Sequence, residues 1–367
     1  MPAVQAAVTL EQCWHAVPGG TAWSTLELVR ALAARDDVEP IGVAAKHRRP
    51  PPAQWTPSIA VRQLPLPRKV LYETWHSPLL RGPRVERATG PVDVVHATAV
   101  AFPAATAPVV VTIHDLAFLH DAQLATRHGH RFFRRGLELA RRHARLVMCP
   151  SEATIDECFD AGIERDRLRL VPWGVAPSTV TDDDVSAVLS RYKIDRAYVL
   201  FAGTVEPRKN LPRLLDAFTR VPNDIDLLLA GPSGWNESID AQLAALGSRV
   251  RALGFVGHDD LDALFAGASV FCYPSVREGF GLPVLEAMAQ GTPVVTSATT
   301  STAEVAGDTG VLVDPVDVDA IASAIRGLLD DPAEARRLGD AGRERAKSFT
   351  WERTAECVAE VYREASR

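Results

Sequence analysis

The sequence predicts an α/β protein with two doubly wound domains, each built on a parallel sheet between layers of helices. Short continuous runs of Val, Ile and Leu alternate with helical patterns along the whole chain, and such runs are typical of parallel strands covered on both faces. The alternation restarts once, after a break rich in Pro and Gly, and 367 residues are enough for two domains. We therefore expect two domains of similar size that face each other across a ligand-binding cleft.

A set of short apolar runs carries the strand prediction. In the first half of the chain these runs are 41–45, 92–97, 108–115 and 145–151. In the second half they are 198–203, 225–231, 269–275, 292–297 and 310–315. Helical patterns lie between them, and the first long one is residues 21–36.

The domain boundary is expected near Gly174. The segment 171–185, "VPWGVAPSTVTDDDV", interrupts the pattern with Pro, Gly and polar residues. The N-terminal domain would then be 1–174 and the C-terminal domain 175–350. The amphipathic end of the chain, 351–367, is expected to pack back on the first domain.

Composition and charge exclude several classes of function. The formal charge is −6, whereas a nucleic-acid-binding domain is usually basic. No run reaches the roughly 18–20 apolar residues that span a bilayer, and the N-terminus lacks the features of a signal peptide. The five cysteines form no C-x-x-C pair, which indicates packed thiols in a reduced, cytoplasmic compartment.

Two carboxylates surround a glycine-rich turn in the second half. Glu278 and Glu286 lie eight positions apart, and residues 278–282 are predicted to form the loop between a strand and a helix. That helix would begin at Pro283 and end at Gly291. Loops at the carboxyl ends of parallel strands are where open α/β sheets bind ligands.

The same loop suits a nucleotide sugar. Gly279 and Gly281 let the backbone approach a ligand, and the start of the helix favours a phosphate. Because a carboxylate beside that phosphate would be repelled, Glu286 is expected to bind a ribose diol. Glu278 could reach hydroxyls of a group attached beyond the phosphates. From the spacing alone, two solvated acids remain the alternative.

A pair of cations follows the first strand of the second half. Arg208 and Lys209 lie between Gly203 and a helix expected to begin near Asn210, with Asn210 as its N-cap. A diphosphate leaving group needs cations or a metal to neutralise its charge, and this pair could supply them. A solvated loop pair is the alternative.

Two weaker signals lie in the first half. Gly19 and Gly20 precede a helix that Thr21 or Ser24 would cap, and their turn could bind an anion or approach the substrate. His114 ends an apolar strand beside the expected cleft. It is either a structural hydrogen-bonding residue or a functional one.

The segment 127–145 carries seven arginines and one acid, Glu138. Helical spacing predicts one basic stripe, interrupted by Glu138, whose members are Arg127, Arg131, Arg134, Arg142 and Arg145. Phe133 and Leu137 lie on another face and are expected to pack in the core. The stripe is either solvated or a contact for an anionic membrane surface or a lipid-phosphate acceptor. The aspartates at 182–184 are interpreted as the start of a helix, not as metal ligands.

Together these motifs resemble the retaining glycosyltransferases of family 4, which have the GT-B fold of two Rossmann-like domains. The resemblance covers nearly the whole chain and rests on "AGTVEPRKN" at 202–210, "LGFVGHDDLDALFAGASVFCYPS" at 253–275 and "EGFGLPVLEAMAQGTPVV" at 278–295. In the first half, "PGGTAW" at 18–23 and "TIHDLAF" at 112–118 match weaker family features.

The resemblance implies that the domain 1–174 lies on the acceptor side and the domain 175–350 on the donor side, and it implies a role for each of these residues. Glu286 would bind the ribose and Glu278 the donor sugar, while Arg208 and Lys209 would bind the diphosphate. His114 would lie beside the anomeric centre.

Backbone groups would complete the donor site. The loop amides from Phe280 to Leu282 would assist in binding the diphosphate, with Gly279 and Gly281 in the turn and Gly19 and Gly20 approaching the donor from the first domain. Many relatives have Arg directly after the glycine of the first second-half strand, where this chain has Thr204. Arg208 beside Lys209 could supply that charge.

The implied reaction transfers a hexosyl group with retained anomeric configuration to a glycan, a lipid-linked acceptor or a small molecule. The usual proposal is a front-face mechanism, in which the leaving phosphate helps to deprotonate the acceptor, and no metal or other cofactor is expected. GDP-mannose is the first choice of donor, with UDP-glucose, UDP-N-acetylglucosamine and dTDP-rhamnose open. The expected location is the cytoplasm, with a peripheral contact at the inner face of the membrane as an open alternative.

Two other classes of function compete with a transferase. A sugar-nucleotide epimerase or hydrolase of the same architecture would make an epimer or a free sugar in place of a new glycoside. A non-catalytic nucleotide-sugar-binding protein would be expected to lose the cation pair or one glutamate, and this chain keeps them all.

Overall fold

The computed structural model of the chain describes residues 2–15, 19–120, 127–232 and 239–367, apart from the side chains of 127 and 128. The chain divides into two compact units. The first consists of Met1–Gly174 together with Thr350–Arg367, and the second of Val175–Phe349.

The first unit is built on a seven-stranded parallel sheet with the strand order β3-β2-β1-β4-β5-β6-β7. The strands are β1 (Val4–Thr9), β2 (Val38–Ala44), β3 (Val61–Gln63), β4 (Val94–Ala97), β5 (Val109–Thr112), β6 (Leu146–Cys149) and β7 (Leu168–Leu170). The helices are α1 (Gly19–Ala33), α2 (Arg68–His76), α3 (Glu86–Thr89), α4 (Ala117–His120), α5 (Arg127–His143), α6 (Glu152–Asp160) and, from the end of the chain, α15 (Trp351–Ala365).

The second unit has a six-stranded parallel sheet with the order β10-β9-β8-β11-β12-β13. The strands are β8 (Tyr198–Ala202), β9 (Asp226–Ala230), β10 (Val250–Gly254), β11 (Val270–Tyr273), β12 (Val294–Ser297) and β13 (Val311–Val313). The helices are α7 (Asp182–Tyr192), α8 (Leu211–Phe218), α9 (Asp240–Leu246), α10 (His258–Gly267), α11 (Leu282–Gln290), α12 (Ser301–Ala306), α13 (Val318–Asp330) and α14 (Pro332–Ala346).

These two sheets confirm the predicted doubly wound α/β class. The sequence prediction omitted four strands, β1, β3, β7 and β10. Strands β3 and β7 have three residues each and lie at the sheet edges, as does β10. Strand β1 is central but reads "VQAAVT", and its Ala6 and Ala7 are fully buried where α15 packs on the strand. Small side chains permit this packing and weaken the apolar signal that a strand usually gives.

The last helix, α15, packs on α1 and β1 of the first unit. A hydrogen bond of 2.7 Å joins Tyr362 Oη to Nδ1 of the buried His96 on β4. Burial lowers the pKa of His96 to about 3, so its ring is neutral. Gly174 lies so close to the start of α15 that a Cβ there would come within 2.3 Å of the Trp351 nitrogen. The close approach requires glycine at this point.

Helix α5 differs from the predicted basic stripe in two ways. It ends at His143, so Arg145 lies beyond the helix, with its amide donating to Val109 O in the adjoining strand. Glu138 forms ion pairs with Arg141 and Arg142, which neutralise part of the stripe. The side chain of Arg127 falls outside the described residues.

The opposite face of α5 packs in the core, as predicted. Leu137 and Ala140 are buried in the hydrophobic cluster of the first unit, and Phe133 packs against it. The helix is therefore amphipathic. Among the helices that the structure describes, none combines the length and the apolar character needed to cross a membrane.

The aspartates at 182–184 form the first turn of α7, as interpreted from the sequence. Thr181 accepts from Asp184 N, and the Asp184 carboxylate accepts from Thr181 N, which makes a capping box. The five cysteines are free thiols, and Cys13, Cys149, Cys158 and Cys272 are buried. This agrees with the packed role expected for them.

Candidate active site

The residues of the second half that were predicted to bind a nucleotide sugar lie on loops and a helix of the second unit, whereas His114, Gly19 and Gly20 lie in the first unit. Strands β8 and β11 are neighbours, and the strand order reverses direction between them. The loops that follow these strands, 203–210 and 274–281, leave the sheet at its carboxyl edge. Open α/β sheets bind ligands at such a switch point.

Asn210 joins the two loops. It adopts a left-handed conformation with φ 63°, and its amide donates to Pro274 O at 2.9 Å and to Pro315 O at 2.6 Å. Asn210 occupies the N-cap position of α8, as predicted, but its side chain makes no capping hydrogen bond. Because its side-chain amide bonds to two other loops, Asn210 fixes the loop 203–210, which carries Arg208 and Lys209, against the loop that carries Glu278.

Glu278 lies at the centre of a network of charges. Its Oε2 is 2.8 Å from Arg208 Nη1, and its Oε1 is 2.5 Å from Lys209 Nζ. The Tyr273 hydroxyl, at the end of β11, donates to the same Oε1 at 2.9 Å. Glu206 binds the other side of the guanidinium, with 2.8 Å between Oε1 and Arg208 Nη2.

Burial and charge fix the protonation states in this network. The Glu278 side chain is only 7% exposed. Burial would raise its pKa, but the charges of Arg208 and Lys209 outweigh burial and hold it at about 2. Burial, and then the charge of Arg208, lower the pKa of Lys209. The pKa of Tyr273 is raised by burial and by Glu278, so its hydroxyl keeps the proton that it donates.

The turn into α11 requires a glycine at position 281. Gly281 has φ +103°, and a Cβ there would lie 2.6 Å from Thr302 Cγ2. Ser301 Oγ donates to Glu278 O at 2.8 Å and holds the preceding residues in place. The helix begins at Leu282. Pro283 is therefore its second residue, whereas the sequence predicted it as the first. Gly291 ends it in the left-handed conformation, as predicted.

Gly279, Phe280 and Leu282 complete this turn. The Phe280 side chain is buried and packs edge-on against Phe349, with 6.1 Å between the ring centroids. The side chain is thus committed to the core. What Phe280 can offer a ligand is its backbone amide.

Glu286 has the opposite protonation behaviour to Glu278. It lies in α11 and is 9% exposed. Burial, followed by the charge of Asp262, raises its pKa to about 8. Asp262 belongs to α10, which packs on α11, and its Oδ2 is 3.6 Å from His258 Nε2. Burial raises the pKa of Asp262 as well.

His114 belongs to the first unit, just past the end of β5. Its Nε2 donates to Thr98 O at 2.8 Å, and its ring lies 5.6 Å from that of Trp173. Burial lowers the pKa of His114 despite the opposing effects of Thr98 O and Asp115. The imidazole is therefore neutral at neutral pH, with its proton on Nε2.

Gly19 and Gly20 also belong to the first unit and are exposed. A Cβ at either position would meet nothing within 4 Å, although Gly19 has φ +63°. Gly19 and Gly20 belong to the first turn of α1 and do not precede the helix as predicted, and the prediction that Thr21 or Ser24 caps it is wrong because both lie inside it. Ser24 Oγ donates to Thr21 O one turn back, a local bond that hydroxyls make within helices.

Several residues of the site were not predicted from the sequence. Glu206 lies two residues before Arg208, and Tyr273 is the last residue of β11. Glu206 reaches Arg208 within one loop, whereas Tyr273 reaches Lys209 only because β8 and β11 are adjacent. Asp262 faces Glu286 across two packed helices, so its effect depends on tertiary packing.

Two family models match the chain. The model described as Glycosyltransferase Family 4 matches residues 18–179. The model described as Glycosyl transferases group 1 matches residues 190–345.

Similar curated proteins span most of the chain. The O-antigen chain mannosyltransferase B of Escherichia coli is 34% identical over 69% of this chain and 70% of its own length. The D-inositol 3-phosphate glycosyltransferase of Xylanimonas cellulosilytica is 30% identical over 95% of this chain and 92% of its own.

Solved structures share the whole fold. HepE of Anabaena, solved in complex with UDP and glucose, has a TM-score of 0.76 at 20% identity and covers 98% of this chain and 99% of its own. Sucrose-phosphate synthase from Thermosynechococcus elongatus has a TM-score of 0.76 at 25% identity and covers 98% of both chains.

The conformation of Gly281 yields a prediction about stability. Gly281→Ala should lower the free energy of unfolding by about 1–3 kcal/mol, because an L side chain is strained at positive φ and would also meet Thr302. Urea titration measures the change. The matched control is Gly327→Ala inside α13, where nothing lies within 4 Å of the added Cβ. It should raise stability by about 0.5–1 kcal/mol. If the two substitutions change the free energy of unfolding equally, position 281 does not require glycine and the prediction is wrong.

Proposed function

The chain belongs to glycosyltransferase family 4, and from this premise we propose that it transfers a hexosyl group from a nucleoside-diphosphate sugar to an acceptor hydroxyl, with retention of the anomeric configuration. It is a hexosyltransferase of the GT-B type. The observation that carries the proposal is the buried network in which Glu278 holds Arg208 and Lys209 beside the turn into α11.

The diphosphate of the donor is assigned to the two cations. In the free protein Glu206 and Glu278 balance the charges of Arg208 and Lys209. As the bond to the sugar breaks, negative charge grows on the diphosphate, and preorganised cations stabilise it. Since burial and Arg208 lower the pKa of Lys209, a diphosphate beside it would favour the charged ammonium. The amides from Phe280 to Leu282 are proposed to assist.

The two glutamates are proposed to bind different parts of the donor. Glu286 lies inside the helix that follows the turn, and its carboxylate would accept two hydrogen bonds from the ribose hydroxyls. Glu278 precedes the turn and would face the transferred sugar once the diphosphate takes over its cations.

The first unit is proposed to contribute His114, Gly19 and Gly20. The family resemblance assigns His114 to the donor sugar beside the anomeric carbon. With Nε2 donating to Thr98 O, Nδ1 of the neutral ring is available to accept a hydrogen bond from a sugar hydroxyl. Gly19 and Gly20 leave open space into which a ligand can come close to the backbone.

The proposed chemistry needs no nucleophile from the protein. The bond between the anomeric carbon and the diphosphate oxygen breaks, and a bond to the acceptor oxygen forms on the same face of the sugar. The acceptor proton passes to an oxygen of the leaving phosphate. We propose that no metal takes part, because the cation pair and the amides at the start of α11 can stabilise the diphosphate.

GDP-mannose is the donor that we propose first. The Escherichia coli relative is named as a mannosyltransferase, which supports mannose as the transferred sugar. The acceptor is proposed to be a glycan, a lipid-linked glycan or a small molecule. We propose a cytoplasmic location, with the exposed Arg131 and Arg134 of α5 available for a peripheral contact with the membrane.

A transfer assay tests this function. With EDTA present throughout, the protein should form a new glycoside from GDP-mannose, UDP-glucose, UDP-N-acetylglucosamine or dTDP-rhamnose when glycan and lipid-linked acceptors are offered. Mass spectrometry detects the product, and NMR should show the anomeric configuration of the donor. An epimer or a free sugar as the sole product would contradict the proposal. Activity lost in EDTA and restored by Mg²⁺ or Mn²⁺ would contradict metal independence.

Variants of the cation pair supply the control for that assay. Lys209→Ala and Arg208→Ala should each lower turnover by about 10²–10³, the usual cost of removing one preorganised charge stabiliser. The control is Arg326→Gln, which removes an exposed charge on α13 and should leave turnover unchanged. Wild-type turnover in both cation variants would remove the diphosphate assignment.

The raised pKa of Glu286 predicts how nucleotide affinity depends on pH. With a pKa of about 8, the carboxyl is mostly protonated at pH 6 and ionised at pH 9. The ionised form accepts stronger, charge-assisted hydrogen bonds from the two ribose hydroxyls than the protonated form does. Calorimetry with GDP should therefore show that the affinity ratio of wild type to Glu286→Gln is about tenfold or more larger at pH 9 than at pH 6.

Taking this ratio cancels the ionisation of the nucleotide phosphates, which is the same for both proteins. An equal ratio at the two pH values would contradict the ribose assignment.

A further inference from the structure

A group of basic side chains, which we call the basic cluster, lies beyond the carboxyl ends of β2 and β3 in the first unit. Its members are His15, Lys46, His47, Arg49 and Arg68. Two hydrogen bonds hold its segments together, from Lys46 N to Leu66 O at 2.9 Å and from His47 N to Gln63 Oε1 at 3.1 Å. The chain as a whole carries a formal charge of −6. A local excess of cations therefore needs an explanation.

The centre of the basic cluster is rigidly built. The ring of Trp14 stacks on that of His47, with 4.6 Å between centroids and 10° between planes, and Trp14 Nε1 donates to Arg49 O at 3.0 Å. His47 Nε2 donates to Glu11 Oε1 at 2.9 Å, and Glu11 Oε2 accepts from Ala45 N at 2.8 Å. Glu11 is thus buried and already engaged by two donors.

The Lys and Arg members of the cluster differ from His47, which pairs with Glu11. Within the described parts of the chain, Lys46, Arg49 and Arg68 form no salt bridge with an acid. Lys46 and Arg49 are exposed, and Arg68 is half-buried. His15 responds to this field, since burial and then the charges of Arg68 and His47 lower its pKa to about 4. The cluster repels a further proton and would attract an anion.

Hydrogen bonds connect the basic cluster to His114 within the first unit. Gln12, directly after Glu11, donates from Nε2 to Thr98 Oγ1 at 2.8 Å. His114 Nε2 donates to the carbonyl oxygen of the same Thr98 at 2.8 Å. Glu11, Gln12 and Tyr72 also line a small cavity beside the cluster. The segment that carries Glu11 is therefore joined, through Gln12 and Thr98, to the residue to which the proposed function assigns the reacting sugar.

We propose that the basic cluster binds a phosphate group carried by the acceptor. This inference rests on the proposed function and names the class of acceptor, a phosphorylated sugar or polyol or a lipid-borne phosphate. Arg and Lys side chains that form no salt bridge within the described ranges match a phosphate dianion, which takes several charge-assisted hydrogen bonds at once. The stacked rings of Trp14 and His47 hold the backbone of the cluster in place.

A matched pair of ligands tests this inference. With GDP present to fill the donor site, calorimetry should detect binding of mannose 6-phosphate to the full-length protein and much weaker binding of mannose. Arg68→Gln, and the double variant Lys46→Gln/Arg49→Gln, should each weaken mannose 6-phosphate binding by about tenfold or more. The matched control is Arg87→Gln on α3, an exposed charge at the amino edge of the sheet, just before β4. It should leave binding unchanged.

A second arm distinguishes the two sources of phosphate. Sedimentation with vesicles of phosphatidic acid and phosphatidylcholine, against phosphatidylcholine alone, should show binding that needs Arg68 if the phosphate is lipid-borne. Arg134→Gln on α5 is the control for a general contact with an anionic surface. Binding that needs Arg68 in either arm supports the inference. If no binding needs Arg68, or if Arg87→Gln and Arg134→Gln weaken it equally, the inference is overturned.

Failure of this inference can be told apart from failure of the proposed function. Calorimetry with GDP alone should give the same affinity for wild type and Arg68→Gln, because the nucleotide is assigned to the second unit. A wild-type protein that binds no nucleotide sugar would contradict the proposed function. One that binds nucleotide sugars normally, but shows no phosphate binding that needs Arg68, would contradict the inference alone.

Discussion

The charges of Arg208 and Lys209 have to be balanced where the protein withdraws them from water, and Glu278 pairs with both while Glu206 supplies the second carboxylate. A buried cation without a partner would lose its proton or cost several kcal/mol, so the loops after β8 and β11 are constrained to meet. Asn210 fixes their distance by donating to carbonyl groups of the second unit's loops. The positive φ of Gly281 then allows the chain to turn directly from Glu278 into α11. The geometry of the candidate site follows from these constraints.

The position of the two cations also explains why two glutamates eight positions apart differ in their protonation state. Glu278 is held ionised by two cations, whereas Glu286 faces Asp262 and a buried surface that favour its protonated form. Under the proposed function, a bound nucleotide sugar would change the surroundings of both glutamates. Its diphosphate would provide a second anion for the cations, and its ribose hydroxyls would solvate the carboxylate of Glu286. In the first unit, Lys46, Arg49 and Arg68 of the basic cluster form no salt bridge within the described residues, and under our inference an acceptor phosphate would pair with them.

Sequence patterns predicted the parts of the molecule that are local. The doubly wound α/β class, the glycine at the end of α11 and the helix start at 182–184 were all predictable, because apolar runs and capping residues act over a few positions. Strand β1 was missed because the alanines that let α15 approach it also dilute its apolar signal. The capping role expected of Ser24 was wrong because Ser24 lies inside α1, and Asn210 occupies the N-cap position of α8 without a capping hydrogen bond from its side chain. Asp262 acts on Glu286 between two packed helices, and Tyr273 reaches Lys209 from the neighbouring strand, which no local pattern encodes.

The central claim is that Glu278 occupies the cations that a diphosphate must use. The most direct test is calorimetric titration of Glu278→Gln with GDP, compared with the wild type at equal pH and ionic strength. The amide keeps the size of the side chain but removes the anion that competes for Arg208 and Lys209. We expect GDP to bind the variant at least as tightly as the wild type, although transfer is lost. A GDP affinity reduced by tenfold or more would show that Glu278 supports diphosphate binding and would contradict the account.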